Sequence, residues 1–217
     1  MPNIEEIAMT EYERMKAGLI YDSADADIMK VQLPLIDKLK QFNQTSSDEM
    51  DKRGELLREM FGSMGEGCYV EPPLRANWGG KHVFFGDHVY ANFNLVLVDD
   101  GNIYVGDNVM FGPNVTVATA NHPVEIGLRK KAYQYNRDVH IGNNVWIGAG
   151  AIIVPGITIG ENSVIGAGSV VCKDIPANVV AVGNPCRVIR EISQHDHEYF
   201  YKDDKIDWDD MPEYYKE

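Results

Sequence analysis

Ile141-Gly142-Asn143-Asn144-Val145-Trp146, Ile147-Gly148-Ala149-Gly150-Ala151-Ile152, Ile153-Val154-Pro155-Gly156-Ile157-Thr158, Ile159-Gly160-Glu161-Asn162-Ser163-Val164 and Ile165-Gly166-Ala167-Gly168-Ser169-Val170 follow one another without a break, and Val171 opens a sixth unit. An aliphatic residue returns at every sixth position. Three residues after it stands Asn144, Gly150, Gly156, Asn162, Gly168 or Asp174, types that tolerate positive φ. The pattern predicts a short strand, a left-handed turn residue and another short strand, repeated. A period of six suits neither a helix nor a two-faced strand and is the signature of a hexapeptide β-helix. Each unit then buries its aliphatic only against the coils above and below.

Working outward, Val105-Gly106-Asp107-Asn108-Val109-Met110 and Phe111-Gly112-Pro113-Asn114-Val115-Thr116 are earlier units, and Val117 opens the next. Phe85-Gly86-Asp87-His88-Val89-Tyr90 and the six residues after it form irregular first units, with a slip of two across 99–104. Val117 and Ile141 remain in frame, yet the frame positions between them are Pro123, Arg129 and Tyr135, which make a poor core. Residues 121–138 are therefore expected to leave the wall as an extruded loop with His122 at its base. Functional side chains concentrate on such loops.

Upstream, Thr10-Glu11-Tyr12-Glu13 has a capping-box pattern and opens a short helix. A second helix is expected over 28–42, with Pro34 starting, kinking or breaking it. Ser46-Ser47-Asp48-Glu49 is expected to cap a third, with Gly62 and Gly65 near its stop. The chain divides into a helical unit (1–65), a hexapeptide β-helix (66–190, loop 121–138) and an acidic, aromatic tail (191–217). The tail's Tyr199, Phe200, Tyr201 and Trp208 are expected to pack along the prism or on a neighbouring subunit.

A chain of 217 residues can bury a sizeable core. Its formal charge of −13 argues against wrapping a nucleic acid, which is held by Lys and Arg. No run approaches the ~20 apolar residues of a membrane span, and the acidic N-terminus carries no secretory pattern. Cys68, Cys172 and Cys186 are few, odd in number and scattered, which fits a reduced, cytoplasmic protein. Between residues 139 and 190 the only cations are Lys173, Arg187 and Arg190, near the end of the ladder.

No phosphate loop, nucleophile elbow or Cys/His zinc spacing is present. His82, His88, His122 and His140 raise a metal reading, because some hexapeptide helices hold zinc between subunits, as in the gamma class of carbonic anhydrases. His140 precedes the inward Ile141 and should point outward, and no metal site is assigned. His122, at the root of the loop, is the candidate base, since imidazole suits proton removal near neutrality.

The ladder, Tyr90-Ala91-Asn92-Phe93-Asn94, Val98-Asp99-Asp100, Asn121-His122-Pro123 and Gly183-Asn184-Pro185-Cys186-Arg187-Val188-Ile189-Arg190 together resemble the galactoside and maltose O-acetyltransferases. Tyr199-Phe200-Tyr201-Lys202-Asp203 is more similar to the galactoside branch. The resemblance runs from about residue 10 to about residue 206. It implies an all-β core wound as a left-handed parallel β-helix, a homotrimer with active sites between neighbouring prisms, and acetyl-CoA as donor with no metal. It also implies that His122 is the general base and that Asp22, Asn77, Asn92 and Asp100 contact a sugar acceptor. For coenzyme A the matching positions are Ala149, Ala167, Cys172, Lys173, Arg187 and Arg190. Family members often carry Ser or Asp at the Asn77 position, which leaves the acceptor open; they often carry Ser at the Ala149 position and Thr at Cys172, departures that cost the coenzyme site at most a side-chain hydrogen bond. Trp146 either lines the groove or makes a subunit contact. The implied chemistry is direct attack of a sugar hydroxyl on the acetyl thioester. The other classes are a metal-dependent enzyme of the carbonic anhydrase type and a non-catalytic trimeric scaffold.

Overall fold

In the computed structural model, which describes residues 9–212, the six-residue units wind into a parallel β-helix of three faces. Face I stacks Ser63–Met64, Val83–Phe85, Ile103–Val105, Val139–Ile141 and Thr158–Ile159. Face II stacks Tyr69–Val70, Tyr90–Ala91, Met110–Phe111, Trp146–Ile147, Val164–Ile165 and Val179–Val182, and Arg187–Glu191 adds an antiparallel edge. Face III stacks Arg75–Ala76, Val96–Val98, Thr116–Ala118, Ile152–Ile153 and Val170–Val171. In the regular part, Ile141 pairs with Ile159, Ile147 with Ile165 and Ile153 with Val171.

The aliphatic at each sixth position points inward and is fully or almost fully buried. The residue two before it is inward as well: Val139, Val145, Ala151, Ile157, Ser163 and Ser169 are all buried. The two serines are tolerated because each hydroxyl donates to a carbonyl, Pro176 O at 2.7 Å and Gly166 O at 2.6 Å. Asn144, Gly150, Gly156, Asn162 and Gly168 turn the chain at positive φ as expected. Asp174 does not. Its carboxylate instead accepts from the Thr158 N–H at 2.8 Å, and the last coil is shortened so that Ile159 pairs with Ile175.

The irregularities fall at one edge, where face III passes into face I. From inward residue to inward residue that step takes six positions between Ile153 and Ile159. It takes nine from Ala76 to Phe85, eight from Leu97 to Val105, and twenty-four from Val117 to Ile141. The last of these is the extruded loop. It leaves the wall as Ala120–Asn121, returns as the antiparallel Tyr135–Asn136, and Val105 then pairs directly with Ile141.

Helix α1 (Glu11–Lys16) begins at a complete capping box between Thr10 and Glu13. Helix α2 (Ala26–Asn43) runs through Pro34 without a break, and α3 (Met50–Met60) starts four residues later than its serine signal. The Ser46 N–H and hydroxyl bind the Glu49 carboxylate at 2.8 and 3.0 Å, closing a turn before the helix. Leu39, Phe42, Leu57 and Met60 cover the open first coil and extend the prism's core. Gly62 and Gly65 are already part of that coil, donating to Val83 O and Phe85 O. After the last strand come a short helix at Gln194–Glu198 and the hairpin of Tyr199–Tyr201 with Asp204–Lys205. Within the described part of the tail, His195 stacks on Tyr199 and His197 on Trp208, while Phe200 is 70% exposed; the tail's last aromatics, Tyr214 and Tyr215, lie outside the described residues. Among the described residues no helix is long and apolar enough to cross a membrane.

The extra residues at the III–I edge bury polar groups. Asp99 is fully buried and accepts from the Trp78 and Gly80 N–H groups at 2.8 and 2.9 Å. His82, 2% exposed, bonds through Nδ1 to Asp99 O at 2.7 Å. Burial pushes the Asp99 carboxyl up to about 6, against its backbone donors, and pushes the His82 imidazole down to about 4.

Two outcomes follow from these packing facts. Ile153→Val should cost about 0.5–1.5 kcal/mol and Ile153→Ala about 2–5 kcal/mol in denaturant unfolding, because the coils cannot collapse into the void. His82 favours folding above its unfolded pKa, and that contribution is lost as pH falls toward about 4. Asp99 acts oppositely, favouring folding most below its unfolded pKa and losing that contribution as pH rises through about 6. Asp99→Asn removes the opposing group, so its Tm should fall further between pH 7 and pH 4.5 than that of the unmodified protein.

Candidate active site

His122 follows the outgoing strand of the loop and is exposed at its root, with buried Pro123 behind it. Its backbone N–H is held by the Asn121 side-chain oxygen at 2.9 Å. Its Nδ1 lies 2.9 Å from Tyr133 O on the returning arm. A carbonyl only accepts, so Nδ1 carries the hydrogen, and in the neutral ring the lone pair is at Nε2. The loop thus orients the ring and selects the tautomer that accepts a proton at its outward nitrogen. The tip beyond it is helix α4 (Ile126–Lys130), capped by the Glu125 carboxylate on the Gly127 and Leu128 N–H groups.

Beside the loop, the III–I edge forms a cavity of about 220 Å³ lined by Tyr21, Ser23, Gln32, Asn77, Asp100 and Gln134. Asp100 is buried at its floor. Its Oδ2 accepts from Asn77 Nδ2 at 3.0 Å, and its Oδ1 lies 3.4 Å from Trp78 Nε1. Burial raises its pKa, against these donors. Asn77 and Asp100 are therefore brought together as a polar pair. Asp22 is adjacent in sequence to Tyr21 but outside the cavity lining. Its backbone N–H donates to Glu11 at 2.6 Å and its carboxylate accepts from the Ala24 N–H at 3.0 Å. Tyr21, Trp78 and Gln32 were not singled out by sequence. The available signals were an aromatic immediately before Asp22 and an aromatic inside the irregular step after Ala76.

Asn92 is elsewhere. It follows the face II strand Tyr90–Ala91 at the II–III edge, where its side-chain oxygen accepts from the Phe93 N–H at 2.8 Å. Ala149 and Ala167 share that edge, one coil apart, joined by the Gly168 N–H to Ala149 O bond at 2.8 Å. Both are exposed, and the coils are so close that a Cβ on Gly148 would lie 2.6 Å from the Ala167 nitrogen. The edge is consequently a smooth column of backbone with small side chains.

The cations occupy two places at the end of the prism. Lys173 follows exposed Cys172 after the last face III strand. Arg187 and Arg190 lie on the antiparallel face II strand. Arg187 Nη1 donates to Cys186 O at 2.8 Å. Arg190 makes a two-pronged pair with Asp196, both bonds 2.7 Å, and holds that carboxyl down to about 2. This pairing was not foreseen, and it leaves Nε as the guanidinium nitrogen with no partner among the described residues. The remaining histidines do not converge: His82 is buried at the III–I edge, while His140 stacks on Tyr104 outside face I.

A family model described as the bacterial transferase hexapeptide (six repeats) matches residues 138–173. A second, the maltose acetyltransferase hexapeptide capping motif, matches residues 14–65. The galactoside O-acetyltransferase of Lactococcus lactis is 50% identical over 211 residues, covering 97% of this chain and 100% of that protein. That of Escherichia coli is 47% identical over 195 residues, covering 90% and 96%. A solved structure of a galactoside acetyltransferase in complex with coenzyme A superposes with a TM-score of 0.88 at 46% identity, covering 92% of this chain and 100% of that one. With these relatives matched along nearly its whole length, the chain belongs to the galactoside and maltose O-acetyltransferase family of hexapeptide-repeat proteins.

Proposed function

We propose that the protein moves an acetyl group from acetyl-CoA to a hydroxyl of a sugar or glycoside by direct attack, with His122 as general base. The observation that carries this reading is the bond from His122 Nδ1 to Tyr133 O, which leaves Nε2 free on an exposed ring. The acceptor hydroxyl loses its proton to Nε2 as its oxygen forms a bond to the acetyl carbon. The carbon–sulfur bond then breaks, and the departing thiolate takes the proton back from the imidazolium. A thioester is already activated, so the sequence of steps contains no acyl-enzyme. The developing oxyanion is met by a backbone N–H or by the Asn92 amide.

The polar cavity over Asp100 and Asn77 suits the remaining hydroxyls of one sugar ring, with Asp22 at its margin. The II–III edge, with Ala149 and Ala167, gives a narrow pantetheine arm a smooth wall. Cys172 and Lys173, with Arg187 and Arg190, are assigned to the coenzyme end, where guanidinium and ammonium groups meet phosphate. Arg190 takes part through the nitrogen that Asp196 leaves free.

Because Asn92 and the His122 loop occupy different edges, the complete site is proposed to form between prisms in a homotrimer. The exposed outer row of face II supports this. Tyr90, Met110 and Trp146 stand in register there, 37%, 46% and 52% exposed. A contiguous exposed apolar row marks a surface that another molecule covers, and this one suits a neighbouring subunit.

His122→Ala should lower kcat by ~100- to 10,000-fold with little change in KM for acetyl-CoA, followed by release of free coenzyme A with a sugar acceptor. Near-normal turnover would overturn the mechanism. Lys173→Glu and Arg187→Glu should each raise KM for acetyl-CoA by about 10-fold or more while leaving KM for the acceptor in place. Unchanged values would remove both residues from the coenzyme site.

A further inference from the structure

We infer that Tyr21 is a positioning residue that ties the carboxylate of Asp100 to the loop carrying His122. This inference rests on the acetyl-transfer reading above. Tyr21 is 2% exposed and belongs to a small core with Met15, Ile28 and Trp78, separate from the core of the prism. Its backbone pairs with the loop in both directions: Tyr21 N–H donates to Gln134 O at 2.9 Å, and Gln134 N–H donates to Tyr21 O at 3.0 Å. Gln134 directly follows Tyr133, whose carbonyl orients His122. The same residue therefore clamps the arm that sets the base.

Its side chain reaches the other half of the site. The phenol oxygen lies 3.5 Å from Asp100 Oδ1 and 3.3 Å from the Asn136 side-chain oxygen. A phenol has one hydrogen to donate. If it goes to Asn136, the Asn136 amide nitrogen is left buried without a partner. Half a turn of that amide removes the stranded donor: Nδ2 then donates to the phenol oxygen, and the phenol hydrogen is released to Asp100. A buried acceptor without a partner is more easily tolerated than a buried donor. With the amide so turned, the relay runs from Asn136 Nδ2 to the Tyr21 oxygen and from the Tyr21 hydroxyl to the Asp100 carboxylate. Burial, followed by the neighbouring Asp100 charge, holds the Tyr21 pKa well above the ordinary phenol value, so the hydroxyl keeps its proton. Both contacts to Asp100 Oδ1, from Tyr21 and Trp78, are long. That oxygen retains capacity for a hydroxyl entering the cavity, which Tyr21 also lines.

Tyr21→Phe is the direct test, because it keeps the ring and the backbone pair and removes only the hydroxyl. KM for the sugar acceptor should rise about 5- to 20-fold, in the range expected for a lost bond to a charged group. KM for acetyl-CoA and kcat should change by less than about threefold. A loss of kcat alone, as from a loosened fold, or no change in acceptor KM, overturns the assignment. A second measurement needs no acceptor. Unfolding equilibria of Tyr21→Phe, Asp100→Asn and the double variant should show a double loss smaller than the product of the two single losses. Additive losses overturn the contact. If the unmodified protein acetylates no sugar yet the cycle shows coupling, the contact stands and the acetyl-transfer reading fails.

Discussion

Everything in this chain depends on one constraint, that each coil of the prism must satisfy its backbone on the coil before it. Strands of a sheet lie ~4.8 Å apart, and a two-residue strand buries almost nothing by itself. Stability accumulates only because Ile141, Ile147 and Ile153 meet Ile159, Ile165 and Val171 in register. The spacing leaves no room at the edges, where Gly148 faces the Ala167 nitrogen and Gly142 the Glu161 nitrogen, each 2.6 Å from where a Cβ would sit. Walls built this way cannot be deformed to hold a ligand. Variation is confined to places where the chain turns from one face to the next.

That confinement explains why the polar chemistry collects at the III–I edge. The three added lengths there, after Ala76, Leu97 and Val117, fall on successive coils and stack upon one another. They bring Trp78 and Asn77 against Asp99 and Asp100, and lift out the loop that carries His122 and whose Gln134 lines the same cavity. The burial that follows is costly for carboxylates, which is why Asp99 draws on two backbone N–H groups and Asp100 on Asn77 and Trp78. Helices α1 and α2 and the link between them complete the enclosure through Met15, Ile28 and Tyr21 on Trp78. Their packing is thus part of the cavity as well as a cap on the first coil.

Much of this was legible because the period of six carries both the core and the turns. The extruded loop was legible from composition alone, since its length keeps the frame and only Pro123, Arg129 and Tyr135 betray it. His122 was legible for the same reason. Asp174 misled because an Asp suited to a left-handed turn is equally suited to accept from a backbone N–H. Ser46 misled similarly, its partner Glu49 closing a turn one step before α3. The Arg190–Asp196 pair and the reach of Tyr21 to Asp100 were not legible. Neither has a periodicity, and both arise from chain segments meeting after the prism and its helices have formed.

The position of Asn92 is the last consequence of rigidity. Face III separates the II–III edge, with Asn92, Ala149 and Ala167, from the III–I edge, with Asp100 and the His122 loop. A hinge that joined the two within one chain would have to break the ladder of bonds that makes the prism stable. In the proposed homotrimer a second copy joins them without breaking anything, by laying one edge of one prism against the other edge of its neighbour. Such a contact uses two different surfaces, so it propagates, and it closes only when rotation returns to the start. Three copies give that closure in the proposed assembly, with every copy supplying each half of a site once. The apolar row of Tyr90, Met110 and Trp146 then has a reason to face outward. In that arrangement the regular wall provides the separation, and the edge additions provide the groups that the neighbour completes.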